Sequence, residues 1–260
     1  MKKIIIITGW IVVLCGMFIL LGFVEAKHKS MICCDFKVMV DFDEAEPLID
    51  IEELKCAIIR SVDSIQGKPI KMINTEGIKA IVLSNPYVKS ANIYTNIEGE
   101  FNIKIWQREP IIRVIDHQNR SFYIDEEGLL IPTIAGRSAR VRVANGYIRD
   151  KSVKIEAIPL DVDTLPESSL YKQILSLARY IRNNDFLDDQ IDQIYINENY
   201  EFELIPKVGQ HVILFGDLEN IDEKFNKLKA FYLDGIKQSG WKKYDQINLK
   251  FKHQIVCSKR

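Results

Sequence analysis

Residues 85–115 read NPYVKSANIYTNIEGEFNIKIWQREPIIRVI, and the rest of the fold is read outward from them. Asn85-Pro86 stops whatever helix precedes it, because proline disfavours the helical region for the residue before it. Val88, Ala91 and Ile93 then lie in one strand. In a second, Phe101, Ile103 and Ile105 alternate with Asn102, Lys104 and Trp106. Alternation with a period of two predicts half-buried strands, and Glu98-Gly99 between them predicts a hairpin turn. On the N-terminal side, Asn74 caps a helix whose apolar face carries Ile78, Ile81 and Val82. Gly67-Lys68-Pro69 breaks the chain before it. Asp50 caps an earlier helix, in which Ile51, Leu54, Ile58 and Val62 recur at helical spacing. Ahead of an acidic loop containing Pro47, Phe36, Val38, Val40 and Phe42 alternate with Lys37, Met39 and Asp41. The order is β-α-α-β-β, complete by about Pro110.

Beyond Ile111 strands dominate. Arg113–Ile115, Phe122–Ile124, Leu129–Ile131, Arg140–Val143 and Val153–Ile158 are strand candidates. Pro166 and Glu167 open a helix with Leu170, Ile174, Leu177 and Ile181 on one side, as core-facing helices have. Ile191, Ile194 and Ile196 turn through Glu198-Asn199 to Phe202 and Leu204, and His211–Phe215 forms another strand. Phe225, Leu228, Tyr232 and Ile236 mark a last helix, stopped by Gly240. In the closing strand Ile247, Leu249 and Phe251 alternate with Asn248, Lys250 and Lys252. The soluble part therefore reads as two α+β units in series, the second a sheet with covering helices.

At the N-terminus, Ile4–Val24 is a run of 21 residues without a charge, opened by Lys2 and Lys3. As a helix it would be about 31 Å long, matching a hydrocarbon core of roughly 30 Å. A retained anchor is preferred to a cleaved signal peptide, whose apolar core is only about 7–15 residues, although Val24-Glu25-Ala26 does resemble a cleavage site. With residues 1–3 too short to form a domain, the bulk of the protein is expected on the far side of the membrane. The 35 basic and 36 acidic side chains leave a formal charge of −1, which argues against nucleic acid as the main partner. A hydrophobic content of 47% excludes wholesale disorder. Of five cysteines, Cys33, Cys34, Cys56 and Cys257 lie outside the apolar run. They are expected to be idle thiols, the alternative being one or two bridges such as Cys33 or Cys34 to Cys257.

No catalytic signature is present: no G-x-S-x-G, no H-E-x-x-H, no P-loop and no G-x-G-x-x-G. His28, His117, His211 and His253 stand singly. Asp41, Asp43, Glu44 and Glu46 cluster without the spacing of a calcium hand, and Asp161-Val162-Asp163 mimics a metal-binding D-x-D in a polar turn. No cofactor and no metal is expected.

The order of parts resembles the FtsQ/DivIB family of bacterial cell-division proteins, and within it the Bacteroides-like branch. The residues that carry the likeness are Asn85-Pro86-Tyr87-Val88-Lys89-Ser90-Ala91, Gly99, the strand reaching Gln107-Arg108-Glu109-Pro110-Ile111-Ile112-Arg113-Val114, and Phe122-Tyr123-Ile124-Asp125-Glu126-Glu127-Gly128. The resemblance implies an α+β protein with a cytoplasmic tail (1–3), one transmembrane helix (4–24) and a stalk (25–33). A polypeptide-transport-associated (POTRA-like) module (34–112) and a mixed β-sheet domain with covering helices (113–260) follow. It implies a non-enzymatic divisome scaffold in the cell inner membrane, with its bulk in the periplasm. That scaffold would bind FtsB-like and FtsL-like single-pass proteins and couple division-site assembly to septal wall synthesis. The expected contact uses the final strand and the helix before it, through Tyr232, Trp241, Tyr244, Ile247, Asn248, Leu249, Lys250 and Phe251. Leu249, Phe251, Tyr244 and Trp241 would be its anchors. Besides a single-pass sensor domain, against which the three-residue tail speaks, two competing readings remain. One is an anchored periplasmic enzyme acting on envelope glycans. The other is that Lys250 and Lys252 merely blunt an edge strand against aggregation.

Overall fold

The computed structural model of the chain describes residues 10–11, 13–19, 31–42, 47–62, 65–96, 98–150, 153, 159–236 and 240–260. Residues 10–11 and 13–19 are helical, with Trp10, Ile11, Leu14 and Phe18 facing outward. Among the described residues no helix is long and apolar enough to cross a membrane. The span expected over Ile4–Val24 lies largely outside them. The chain forms two compact units, Met1–Asp43 with Ile49–Gln107 and Glu44–Leu48 with Arg108–Arg260. This division falls ahead of the boundary expected after Ile112, because Pro110–Ile115 is one strand, hydrogen-bonded within the second unit. All five cysteines are free thiols, Cys33 buried and Cys34 exposed.

The first unit runs β1 (Asp35–Asp41), α1 (Ile51–Val62), a 3-10 turn (Ile70–Met72), α2 (Thr75–Leu83), β2 (Val88–Thr95) and β3 (Glu100–Gln107). β3 is central, parallel to β1 and antiparallel to β2. Phe101, Ile103 and Ile105 of β3 are fully buried, as are Ile58 of α1 and Ile78 and Val82 of α2. Both expected caps form. Asp50 Oδ1 accepts the Glu53 N–H at 3.0 Å, and Asn74 Oδ1 accepts the Gly77 N–H at 2.9 Å. The hairpin turn uses Gly99 at φ +85°, and Asn96 Oδ1 accepts the N–H groups of Glu98 and Glu100 at 3.0 and 2.9 Å. The opposite face of β3 is polar, with Lys104 Nζ held 3.3 Å from Asp41 and lying over the Trp106 ring.

The second unit is built on a ten-stranded mixed sheet. Its strands are β4 (Pro110–Ile115), β5 (Ser121–Asp125), β6 (Leu129–Pro132), β7 (Arg142–Gly146), β8 (Leu160–Asp161), β9 (Ile191–Ile196), β10 (Phe202–Pro206), β11 (Val212–Gly216), β12 (Tyr244–Asn248) and β13 (Val256–Lys259). They lie in the order β13-β12-β11-β10-β9-β7-β4-β5-β6-β8. The β4–β7, β7–β9 and β11–β12 pairs are parallel and the others antiparallel. Helices α3 (Leu170–Arg182), α4 (Asp185–Gln190) and α5 (Ile221–Ala230) accompany it, and α5 runs into a π-helical turn (Phe231–Gly235). α3 places Leu170, Ile174, Leu177 and Ile181 in the core, as the helical spacing predicts.

Several elements differ from expectation for identifiable reasons. α3 begins at Leu170, not at Pro166, because Pro166–Ser169 close a separate turn. Its N-terminus is capped from far along the chain: Asp150 Oδ2 accepts the Leu170 N–H at 2.8 Å and the Ser169 hydroxyl at 2.6 Å, a carboxylate placed where the helix dipole favours it. β7 starts at Arg142, whose guanidinium donates to Asp188 Oδ1 at 2.6 Å and to the Ile191 carbonyl at 3.0 Å, tying β7 to α4 and β9. The strand expected over Val153–Ile158 falls almost wholly outside the described residues. The two-residue β8, the short α4 and β13 were not foreseen.

The parallel β7–β9 pairing ends at a close approach. Gly146 has φ +104°, and a Cβ there would lie 2.2 Å from the Ile196 carbonyl oxygen. Gly136 has φ +83° with open space around it. Gly146→Ala is therefore expected to lose more stability than the roughly 1–3 kcal/mol that such backbone strain costs alone. Gly136→Ala should lose only that strain. Thermal unfolding of both variants checks this, and equal losses would contradict it.

Candidate functional site

The end of the second sheet is assembled by α5, the π-helical turn and the loops on either side of β12. At Phe231–Gly235 the chain widens into a π-helical turn, and the Phe231 ring packs so close to Gly235 that a Cβ there would stand 2.8 Å from it. The widening delivers Tyr232 to His211 at the foot of β11. His211 is 2% exposed, and its Nε2 lies 2.6 Å from the Tyr232 hydroxyl. Trp241 closes the cluster, stacked on His211 with centroids 6.2 Å apart and edge-on to Tyr232 at 5.3 Å. Offset and edge-to-face geometries such as these are favourable for aromatic rings. Burial pushes the Tyr232 phenol up and holds the His211 imidazole below its ordinary value of 6.5, with the charge of Arg260 adding to the latter. Arg260 itself donates to Gln210 Oε1 at 2.7 Å and to the Gln210 carbonyl at 2.9 Å.

The expected contact residues separate into two groups. Ile247 and Leu249 are 0% exposed and belong to the core, and Tyr232 is buried with them. Leu249 also donates its N–H to the Leu214 carbonyl at 3.0 Å. Asn248 Oδ1 accepts the Lys250 N–H, and Lys250 Nζ reaches Glu201 at 3.0 Å, so these two residues shape the turn after β12. Tyr244 is half-buried against Phe231. Of the apolar and aromatic members, Trp241 and Phe251 are substantially open, at 37% and 46%, and the Lys250 side chain is exposed as well. The Phe251 carbonyl is held by Lys227 Nζ at 2.6 Å.

One expectation is corrected here. The segment Tyr244–Phe251 is not the free margin of the sheet. β12 ends at Asn248 and lies between β11 and β13, which pairs antiparallel with it through Asn248–Val256, Ile247–Cys257, Gln246–Ser258 and Tyr244–Lys259. Among the described residues the margin at this end of the sheet is β13. Its signal in the sequence was Ile255-Val256-Cys257, a short apolar run after the Lys252-His253 turn, where His253 takes φ +57°. His211 was also passed over as a single histidine. Its partners come from the π-helical turn and the Trp241 loop, which no local spacing reveals.

Elsewhere in the second unit, a recess of about 720 Å³ is lined by Arg140, Arg142, Arg182, Lys207, Asp188 and Asp192, with Ile111 and Val141. Asp188 is committed to Arg142, so no pair of free carboxylates converges there. In the D-x-D turn, Asp161 Oδ1 caps the Asp163 N–H and Asp163 pairs with Arg179 at 2.9 Å. Among the described residues no group of three His, Cys, Asp or Glu side chains could hold a metal ion.

A mixed sheet with an open margin among the described residues, preceded in the chain by a β-α-α-β-β module, defines an α+β protein of two compact units. The family described as "FtsQ/DivIB, C-terminal related" matches residues 109–258, and a POTRA-like domain matches residues 31–106. The chain belongs to the FtsQ/DivIB family. It is 24% identical to the cell division protein DivIB of Clostridium tetani over 218 residues, covering 78% of this chain and 73% of that protein.

Two outcomes are expected at this end of the sheet. Because the folded-state pKa of His211 is depressed, the unfolded chain binds the proton more readily, so stability present above pH 6.5 is lost as the pH falls below it. Thermal unfolding across this range should show the loss, and His211→Gln should flatten it; an unchanged slope in the variant would count against the assignment. Leu249→Ala is expected to cost about 2–5 kcal/mol as a buried large-to-small change, measured by denaturant unfolding.

Proposed function

We propose that the protein is a non-enzymatic cell-division scaffold, held in the inner membrane by Ile4–Val24 with its bulk outside the cytoplasm. In this reading the terminal margin of its β-sheet unit receives an FtsB–FtsL pair of single-pass proteins and so links division-site assembly to septal wall synthesis. Family membership supports the cell-division role, as does the likeness to a protein named for cell division. The observation that carries the docking reading is the open edge of β13, flanked by two exposed apolar side chains, Val256 at 43% and Phe251 at 46%. Extended segments add to such edges by backbone pairing, while side-chain contacts set the specificity.

Magnitudes constrain how the docking works. β13 is four residues long. About four strand-to-strand hydrogen bonds contribute roughly 2–6 kcal/mol net, and ordering a flexible partner costs about 2–5 kcal/mol. Backbone pairing alone falls short. Phe251, Val256 and the open part of Trp241 add apolar contact, and confinement of both partners to one membrane raises their effective concentration. Leu249 and Ile247 are assigned to the core of the docking platform and not to its surface.

Phe251→Glu combined with Val256→Glu should reduce co-purification with an FtsB-like partner by at least about tenfold, equivalent to roughly 1.4 kcal/mol, with the unfolding temperature unchanged. Retention of the partner by this folded variant would refute the docking assignment.

A further inference from the structure

We infer that the segment received at β13 is acidic: an extended strand of another protein with carboxylates positioned for the two ends of that edge. The inference rests on the docking reading above and adds the chemistry of the occupant. Residues 240–260 carry six cationic side chains (Lys242, Lys243, Lys250, Lys252, Lys259 and Arg260) and one carboxylate, Asp245, giving 6 − 1 = +5 in a chain whose total is −1. Half of these cations are already engaged. Lys250 pairs with Glu201, Arg260 holds Gln210, and Lys243 lies over the Tyr244 ring. Lys242, Lys252 and Lys259 are exposed and make no hydrogen bond or ion pair among the described residues.

Their placement follows the edge. Lys259 closes β13 and stands opposite Tyr244, two residues after Lys242, while Lys252 lies in the turn that leads into Val256. Asp245, the one carboxylate of the segment, forms no ion pair with them among the described residues, and its Oδ1 is shielded from water without a partner. An incoming strand would therefore meet positive charge at both ends and the apolar Val256 between them. Charge complementarity of this kind steers encounter and fixes register. Lysines on an edge also discourage self-pairing, and a strand of opposite charge removes that penalty where a second copy of this chain does not.

The test uses the full chain in neutral detergent and three synthetic extended peptides of equal length, alternating valine with glutamate, glutamine or lysine. At low salt the glutamate peptide should bind about tenfold more tightly than the glutamine peptide, and the lysine peptide most weakly, the preference shrinking as salt rises. Lys242→Glu, Lys252→Glu and Lys259→Glu together should reverse the order. These positions are exposed, and the reversed charges still discourage self-pairing, so a purely protective role would leave the order unchanged. Equal binding of the three peptides would overturn the charge inference while the edge-docking reading stands. Binding of none, or sedimentation showing that the edge is filled by a second copy, would overturn both.

Discussion

A sheet of ten strands that does not close into a barrel leaves a row of unpaired N–H and C=O groups along each margin. The two margins of this sheet are handled differently. At one, β8 is two residues long among the described residues. At the other, β13 offers four residues, edged by cations and by two open apolar side chains. An edge of that length and charge resists its own kind without being closed to others. The arrangement of everything between β11 and Arg260 follows from holding that strand in place.

Holding it is the task of the aromatic cluster and of a few long cations. β12 can sit parallel to β11 only because α5 and the π-helical turn carry the chain back across the sheet, and Leu249 and Ile247 then seal the core beneath. Lys227 of α5 donates to the carbonyls of Leu249 and Phe251 at 3.2 and 2.6 Å, satisfying backbone acceptors where β12 has ended. On the other side of the strand, Arg260 ties the end of β13 to Gln210, next to His211. A buried neutral imidazole, a phenol and an indole thus stand where the last helix, β11 and the β12 loop converge.

Much of this was legible in the sequence where the signal is local. The caps at Asp50 and Asn74, the hairpin at Gly99 and the alternation through Phe101–Trp106 each depend on neighbouring residues, and each formed as read. The same holds for the apolar stripe of α3. Local signals failed where distant chain supplied the partner. Asp150 caps α3 from twenty residues away, so Pro166 gave a false start. At the site, the alternation of Ile247, Leu249 and Phe251 was read as a run reaching toward a partner. Leu249 instead completes the core, and the chain turns at Lys250 because Glu201 and Asn248 hold it there. Periodicity marks which side chains share a face, but it does not say whether another strand lies beyond.

That difference separates two tasks the sequence had run together. Residues that stabilise the margin point inward from β12, whereas residues open to a neighbour lie on the turn and on β13. A buried leucine gives little specificity to a partner it never touches, and its loss is felt as unfolding. Exposed charges behave in the opposite way, contributing little to the fold and much to which strand is attracted. Under the proposed docking, recognition at this edge would be free to vary without disturbing the core. In the proposed docking, backbone pairing and surface charge would supply only modest affinity, which would suit partners held close by a shared membrane.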